Sequence, residues 1–304
     1  MIKKFANMTL VVTMLALAGC GGGGGGDNSG YTGKTSPTAL TVSNAADMSI
    51  DVVDGVNSVA ALGAIAKNVA GTTAPDNSIQ VRALSGTLER SISTMLDKPA
   101  LAKTVAEAVN GTEYGYSGSF SYSGTADPST GKIAATFTFN AYQEAAGSEV
   151  ISGSISVSGY VAVQSGGIDT LTIVIPSLQI SEGSDVLMTV KGKMTIANGA
   201  DKTITLSMVF IDGATGETYW YKDFSIVDSG YSTTISGIFY HPVHGYVGIT
   251  TLTPLSDTTN IYGDPVSGQL LFTGSNGSKV LLTYTASGYV LELDANGTGI
   301  YVAL

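Results

Sequence analysis

The chain of 304 residues holds two histidines, and both sit in one short stretch, Tyr240-His241-Pro242-Val243-His244. On a strand, a spacing of three puts His241 and His244 on opposite faces. A turn at Pro242 would bring them together, and a metal held there would need carboxylates, for which Asp257 and Asp264 are the acids nearby. The sequence has no His-Glu-x-x-His motif, the helical pattern that sets two imidazoles on one face beside a general base. A hairpin corner with polar tips explains the same residues. Asp294-Ala295-Asn296-Gly297-Thr298-Gly299 starts like a calcium loop, with Asp294 and Asn296 as its first ligands. Such a loop wants an acid or amide at its fifth position and a bidentate Glu at its twelfth. Here Thr298 is fifth and the twelfth falls past Leu304, so a tight turn is the simpler reading. No cofactor is expected. Serine is abundant, but no Gly-x-Ser-x-Gly elbow occurs and only the two histidines could act as its base. A pair of carboxylates could hydrolyse a glycosidic bond, yet no spacing nominates a pair. Trp220, within Thr218-Tyr219-Trp220-Tyr221-Lys222, could form a sugar or lipid platform, although aromatic runs on strands more often fill a core. An enzyme is therefore the third-ranked reading, as a hydrolase with an unidentified carboxylate site.

Composition narrows the partners. The net charge is −10. Residues 1–20 hold two lysines and no acid, so their removal leaves −12. An acidic surface repels phosphate backbones, which argues against nucleic acid. Both arginines, Arg82 and Arg90, precede Tyr114, so the chain beyond lacks the bidentate clamp that carboxylates and phosphates favour. Small anionic substrates are poor candidates for the same reason.

Any such residues must be positioned by the elements around them. From Tyr114 onward the apolar period is two. Ile133, Ala135, Phe137 and Phe139 alternate with Ala134, Thr136, Thr138 and Asn140. Later runs alternate similarly, as in Ile204, Leu206, Met208 and Phe210, and in Val280, Leu282 and Tyr284. One apolar and one Ser/Thr-rich face fits an antiparallel sheet with one wet side. Turn dipeptides recur: Asp127-Pro128, Gly166-Gly167, Asn198-Gly199, Asp212-Gly213, Asn276-Gly277 and Asn296-Gly297. Together they predict about twelve strands in simple succession, as a long curved meander or a partly open barrel. Ser117-Gly118, Ser152-Gly153, Ser236-Gly237 and Ser267-Gly268 form a weak, irregularly spaced repeat. Glycines inside strands mark places where a sheet bends or another backbone comes close.

Residues 38–113 read differently, as a small helical segment packing on the sheet. Ser58–Ala70 and Leu84–Leu96 carry apolar residues at helical spacing. A third helix would follow Asp97, with Leu101, Val105 and Val109 on one stripe and Asn110-Gly111 as its stop. The expected fold is mainly β with a short α-helical N-terminal part whose helices cover one face of the 114–304 β domain.

The first residues are an address. Lys3 and Lys4 precede a short apolar run, Phe5–Leu17, that ends in Leu17-Ala18-Gly19-Cys20. That ending resembles the lipobox of bacterial lipoproteins. The resemblance implies a signal peptide over 1–19 and lipidation of Cys20, the single cysteine. With that thiol used, no disulfide or thiolate metal site is available. The glycine run Gly21–Gly26 opens a tether over 20–37 that reads as flexible coil. In lipoproteins of this kind an Asp after the cysteine signals inner-membrane retention. Gly21 stands there, which implies the outer membrane.

Toward the C-terminus, Ile238-Phe239-Tyr240-His241-Pro242, Gly245-Tyr246-Val247, the stretch Ser267–Lys279 and Asp294-Ala295-Asn296-Gly297 resemble a group of uncharacterised bacterial envelope lipoproteins. That likeness implies fold and location only. The expected function is a non-catalytic, lipid-anchored envelope protein whose curved sheet binds an apolar ligand or a partner protein. Envelope lipid carriers built as half-open barrels are similar by analogy of fold. The alternative is a structural or adhesive surface protein.

Overall fold

The computed structural model describes residues 30–53, 107–127, 129–161, 168–260 and 264–304. Fifteen strands make one antiparallel sheet. They begin with β1 (Glu107–Tyr114), β2 (Ser117–Asp127), β3 (Lys132–Gln143), β4 (Val150–Val161) and β5 (Ile168–Glu182). The middle comprises β6 (Asp185–Asn198), β7 (Lys202–Asp212), β8 (Thr218–Asp228), β9 (Ser232–His241) and β10 (Gly245–Thr253). It closes with β11 (Leu255–Ser256), β12 (Gly268–Thr273), β13 (Lys279–Thr285), β14 (Gly288–Asp294) and β15 (Val302–Ala303). Each strand pairs with the next, except that the two-residue β11 pairs with β9 and lets β10 reach β12. The sheet does not close into a barrel. It is the expected curved meander, with three more strands than the turn dipeptides mark.

The period-two pattern becomes one apolar face. On β3, Ile133, Ala135, Phe137 and Phe139 are buried, and Lys132, Ala134, Thr136, Thr138 and Asn140 are exposed. The inward residues of β1 through β14 form a single buried cluster. Each large side chain taken fully out of water there contributes about 1.5–3 kcal/mol. The outward faces of β2–β6 carry mostly Ser and Thr, with Thr172 and Thr195 hydroxyls paired at 3.3 Å across β5 and β6.

A crease runs across the strands. Register shifts interrupt the β2–β3, β3–β4, β4–β5, β5–β6, β7–β8 and β8–β9 ladders. Each bulge adds a residue on one strand and bends it. Two of the predicted Ser-Gly glycines show why a side chain is excluded. Gly153 has φ +126, and a Cβ there would lie 2.3 Å from the Ser177 carbonyl oxygen. Gly237 has φ +148, and its Cβ would lie 2.5 Å from the Phe224 ring.

Two sequence expectations are corrected here. Val109, Asn110 and Gly111 belong to β1, paired with Gly124, Ser123 and Tyr122 of β2, rather than to a helix end. A spacing of four was read as a helical stripe, but β2 needs a ladder partner on its open side and this segment supplies it. The sheet therefore begins at Glu107, inside the segment expected to be helical. The helices expected over 58–70 and 84–96 lie outside the described residues. The helix that is described spans residues 45–53. Thr41 caps it: Ala45 N donates to Thr41 O at 2.9 Å, and Thr41 N donates to Asn44 Oδ1 at 2.8 Å. The second of these bonds is one half of a capping box, with Asn44 in the acceptor role. Its Ala45, Met48 and Val52 are fully buried in the main cluster, so a helix does cover the inner face.

The second correction concerns residues 31–37, expected to be tether. They form a strap bound to the sheet. Tyr246 N donates to Ser36 O, Thr38 N donates to Tyr246 O, and Ser275 N donates to Thr38 O. Pro37 and Tyr246 make a parallel bridge. β10 meets β12 only from Gly248 onward, and the strap occupies the gap before that point. It passes from the outer face, where Tyr31 is buried, to the inner core, where Leu40 is buried.

Candidate functional site

The His241 turn gathers the two histidines that the sequence singled out. The turn at Pro242 does bring the two imidazoles together, with ring centroids 4.6 Å apart. Neither Asp257 nor Asp264 joins them. Asp257 accepts from the Thr233 hydroxyl near the start of β9, at the opposite end of that strand, and the Asp264 N–H donates to Asn260 Oδ1. The carboxylate at the turn is Asp51 of the helix, whose Oδ2 lies 3.3 Å from His241 Nε2. Sequence reasoning missed Asp51 because its partner lies far along the chain. The only available signal was the Thr41-Val42-Ser43-Asn44 cap that announces the helix.

His241 is buried and both of its nitrogens are engaged. Nε2 faces Asp51, while Nδ1 accepts from the backbone N–H of Val243 at 3.1 Å and of His244 at 3.3 Å. An Nδ1 that accepts two N–H groups carries no proton, so the proton sits on Nε2 and is donated to Asp51. This imidazole has no lone pair left for a substrate or a metal in this arrangement. It closes its own turn and ties the helix to β9. Tyr219 meets the His241 ring edge-on at 5.4 Å. Burial, then the carboxylates of Asp51, Glu217 and Asp212, hold the Tyr219 phenol well above its ordinary value. The Tyr221 hydroxyl donates to the Asp51 carbonyl at 2.9 Å, a second tie to the helix. For His244, burial and then the neighbouring His241 lower the pKa against the opposing pull of Asp47 and Asp51. Among the described residues no group of three or more His, Cys, Asp or Glu side chains converges as a metal site would need.

Asp294 and Asn296 stand apart from that turn, after β14. The Asp294 carboxylate accepts from Thr298 N at 2.9 Å, from Gly299 N at 2.7 Å and from the Thr298 hydroxyl at 3.3 Å. Burial raises its pKa, but the donors from Gly299 and Thr298 outweigh it and the net shift is downward. N–H and O–H donors occupy the lone pairs that a cation would use. Asn296 is exposed at the tip. Cys20 lies outside the described residues.

The aromatic run of β8 splits between the faces. Tyr219 and Tyr221 point to the inner core, and Trp220 points outward. Yet Trp220 is only 3% exposed. It stacks on Tyr240 at 4.7 Å, and Tyr31 of the strap covers both, at 5.8 Å from Trp220 and 5.5 Å from Tyr240. The Tyr31 hydroxyl donates to the carbonyls of Lys34 and His241. Burial, followed by the neighbouring Tyr240, raises its pKa to about 12. Val209, with Ile211, Ile238 and Tyr246 at the margin, completes this second core. The core reading of Trp220 holds, but on the face expected to be wet.

Among the described residues, the inward side chains from β2 to β14 are buried in one apolar cluster. A recess of about 260 Å³ is polar and lies on β1–β3, lined by Asn110, Thr112, Ser121, Ser123, Thr136 and Thr138 among others. No described helix is long and apolar enough to cross a membrane. Comparison with protein-family models, with curated proteins and with solved structures found no match to this chain.

Proposed function

We propose that this protein is a lipid-anchored, non-catalytic component of the bacterial cell envelope, held at the outer membrane through Cys20, whose rigid sheet serves as a structural or partner-binding surface. The observation that carries the reading is that the inward side chains are buried in one apolar cluster, so the molecule meets its surroundings through the outer face of the sheet. The engagement of both His241 nitrogens, which takes that imidazole out of use as a base, supports it. The second reading is a carrier of an apolar ligand, favoured by the helix lying over one continuous apolar face.

Native mass spectrometry of the mature chain extracted from membranes separates the two. The scaffold reading expects no mass beyond the covalent acyl groups and no uptake of fluorescent fatty acid or phospholipid. Co-purifying lipid would overturn it in favour of the carrier. The anchor is tested by fractionation with metabolic fatty-acid labelling. Wild type is expected to take up label and pellet with membranes, and Cys20→Ser to take up none and leave the sheet's unfolding midpoint unchanged. Each buried methylene of an acyl chain contributes about 0.8 kcal/mol, and two chains hold stably where one is marginal. A wild type without label would refute the anchor.

A further inference from the structure

We infer that the outer face of β6–β8 is the surface this protein turns toward an anionic lipid bilayer. The inference rests on the lipid-anchor reading above and adds to it a direction. Two independent observations carry it, one of chain length and one of charge.

The anchor residue and the sheet are close along the chain. Only ten residue steps separate Cys20 from Gly30, and a fully extended chain of that length spans at most about 36 Å. Gly30 lies against the side chain of Lys191, so that a Cβ added to it would be 3.5 Å from Lys191 Cδ. The next residue, Tyr31, is fixed on Trp220 and Tyr240. The tether is thus rooted at a point on the outer face at β6–β8, and not on the inner face or at the sheet edges at β1 and β15.

The charge at that point is opposite to that of the molecule. Between Tyr114 and Leu304 there are six lysines against fifteen acids. Three of the six are Lys191 and Lys193 on β6 and Lys222 on β8, all on the outer face, with Lys222 Nζ 5.2 Å over the Trp220 ring. Asp223, in the β8 bulge, is the one carboxylate within the outward faces of β6–β10. The other acids of this region, Asp185, Asp201, Asp212, Glu217 and Asp228, stand at strand ends or turns. Val174, opposite Lys193 in the β5–β6 ladder, is 40% exposed. A local excess of lysine beside a short lipid tether favours the anionic leaflet by about fivefold per lysine brought to it, while the acidic remainder is turned away.

The test uses the lipidated full chain in vesicles of one-third phosphatidylglycerol carrying a trace of headgroup-quencher lipid. Cys20 is consumed by the anchor, so a single introduced thiol takes the fluorophore. Thr205→Cys places it on the exposed outer face of β7, two residues from Ser207, the ladder partner of Lys193, and leaves the lysines intact. Thr136→Cys on β3 and Thr273→Cys on β12 place it on the flanks. The expected result is at least about threefold stronger quenching at position 205 than at either flank. The triple variant Lys191→Glu, Lys193→Glu, Lys222→Glu should level the three positions while the chain remains folded, as read by its circular dichroism. Equal quenching at all three sites in the parent chain overturns the inference, and so does an ordering that survives charge reversal. A chain that carries no acyl label and does not float with vesicles fails earlier: it overturns the anchor itself, and the membrane-facing surface falls with it.

Discussion

Strands β2–β6 and strands β8–β10 share one inward alternation but use their outward faces in different ways. On β2–β6 the outward residues are short hydroxylic side chains, such as Ser121, Ser123, Thr136, Thr138, Ser156 and Ser158, that solvate the sheet. On β8–β10 they include Trp220, Ile238, Tyr240 and Tyr246, which are covered by Tyr31, a residue from the far end of the chain. The same contrast holds inside, where the helix is tied to β8 and β9 by Tyr221 and His241. An aromatic run on an outward strand face here marks a place where the chain covers itself. Aromatic pairs at 4.7–5.8 Å add about 0.5–1.5 kcal/mol each beyond the area they bury, so the strap is held by more than its backbone bonds.

The contrast can be broken most directly by side-chain truncation on the outer faces. Trp220→Ala is expected to cost about 3–5 kcal/mol in urea unfolding, whereas Thr136→Ala at the equivalent outward level of β3 stays within about 0.5 kcal/mol. Comparable losses at the two sites would mean that the strap adds nothing to the outer face of β8–β10. Tyr31→Ala gives a sharper version, because it leaves Trp220 in place but uncovered. Its fluorescence should shift to the red while the chain remains folded.

A smaller effect is expected at the turn. His241→Ala leaves the N–H groups of Val243 and His244 without their acceptor and Asp51 without its donor. The expected cost is about 1–3 kcal/mol, measured as a shift in midpoint with an unchanged denaturant slope. If the loss is nil, the helix is held to the sheet through Tyr221 of β8 and not through His241.

The smallest expected effects separate the regions by pH. His244 has a lowered folded pKa, so between that value and its ordinary 6.5 the unfolded chain binds a proton that the folded chain refuses. Stability is whole above about pH 6.5 and falls on acidification through that window; His244→Gln should remove this slope. In the β2–β3 turn, hydrogen bonds from the Ser129 and Thr130 side chains, then from the Ser129 N–H, lower the Asp127 pKa from 3.8 to about 2. Its contribution is present above the unfolded value and is lost only as pH falls toward 2. A carboxyl titration of Asp127 with a midpoint near 3.8 would show that the turn does not hold it.

What could be read from the sequence follows from the range of the interactions. Alternation along β3 and a bend at Gly153 or Gly237 are local facts, recorded within a few residues, and each has its counterpart in the sheet. The misreading of Val109-Asn110-Gly111 came from the same locality. Leu101, Val105 and Val109 match a helical stripe, and Asn-Gly matches its stop, until β2 is placed alongside. The partner of His241 was out of reach for the opposite reason. Asp257 and Asp264 are its neighbours in sequence, while Asp51 becomes its neighbour only after the helix crosses the inner face. Tyr31 gave no sign at all, since a lone tyrosine after a glycine run has no periodicity to read.

The strap has a consequence for the order in which the molecule can be completed. Every other described pairing joins a strand to one close behind it, so the sheet can grow hairpin by hairpin as the chain is made. The strap is synthesised before all of them, yet Thr32 waits 186 residues for Thr218 and Leu40 waits 238 residues for Ser278. Closing loops of that length is entropically costly and comes late. Until β10 is made, Tyr31 has an incomplete seat and the outward ring of Trp220 has no lid, and Leu40 lacks its partner until Ser278 follows. The strap, the first described segment to be made, therefore locks only once the chain has been made as far as Ser278, and its locking registers that the strands up to β12 have arrived.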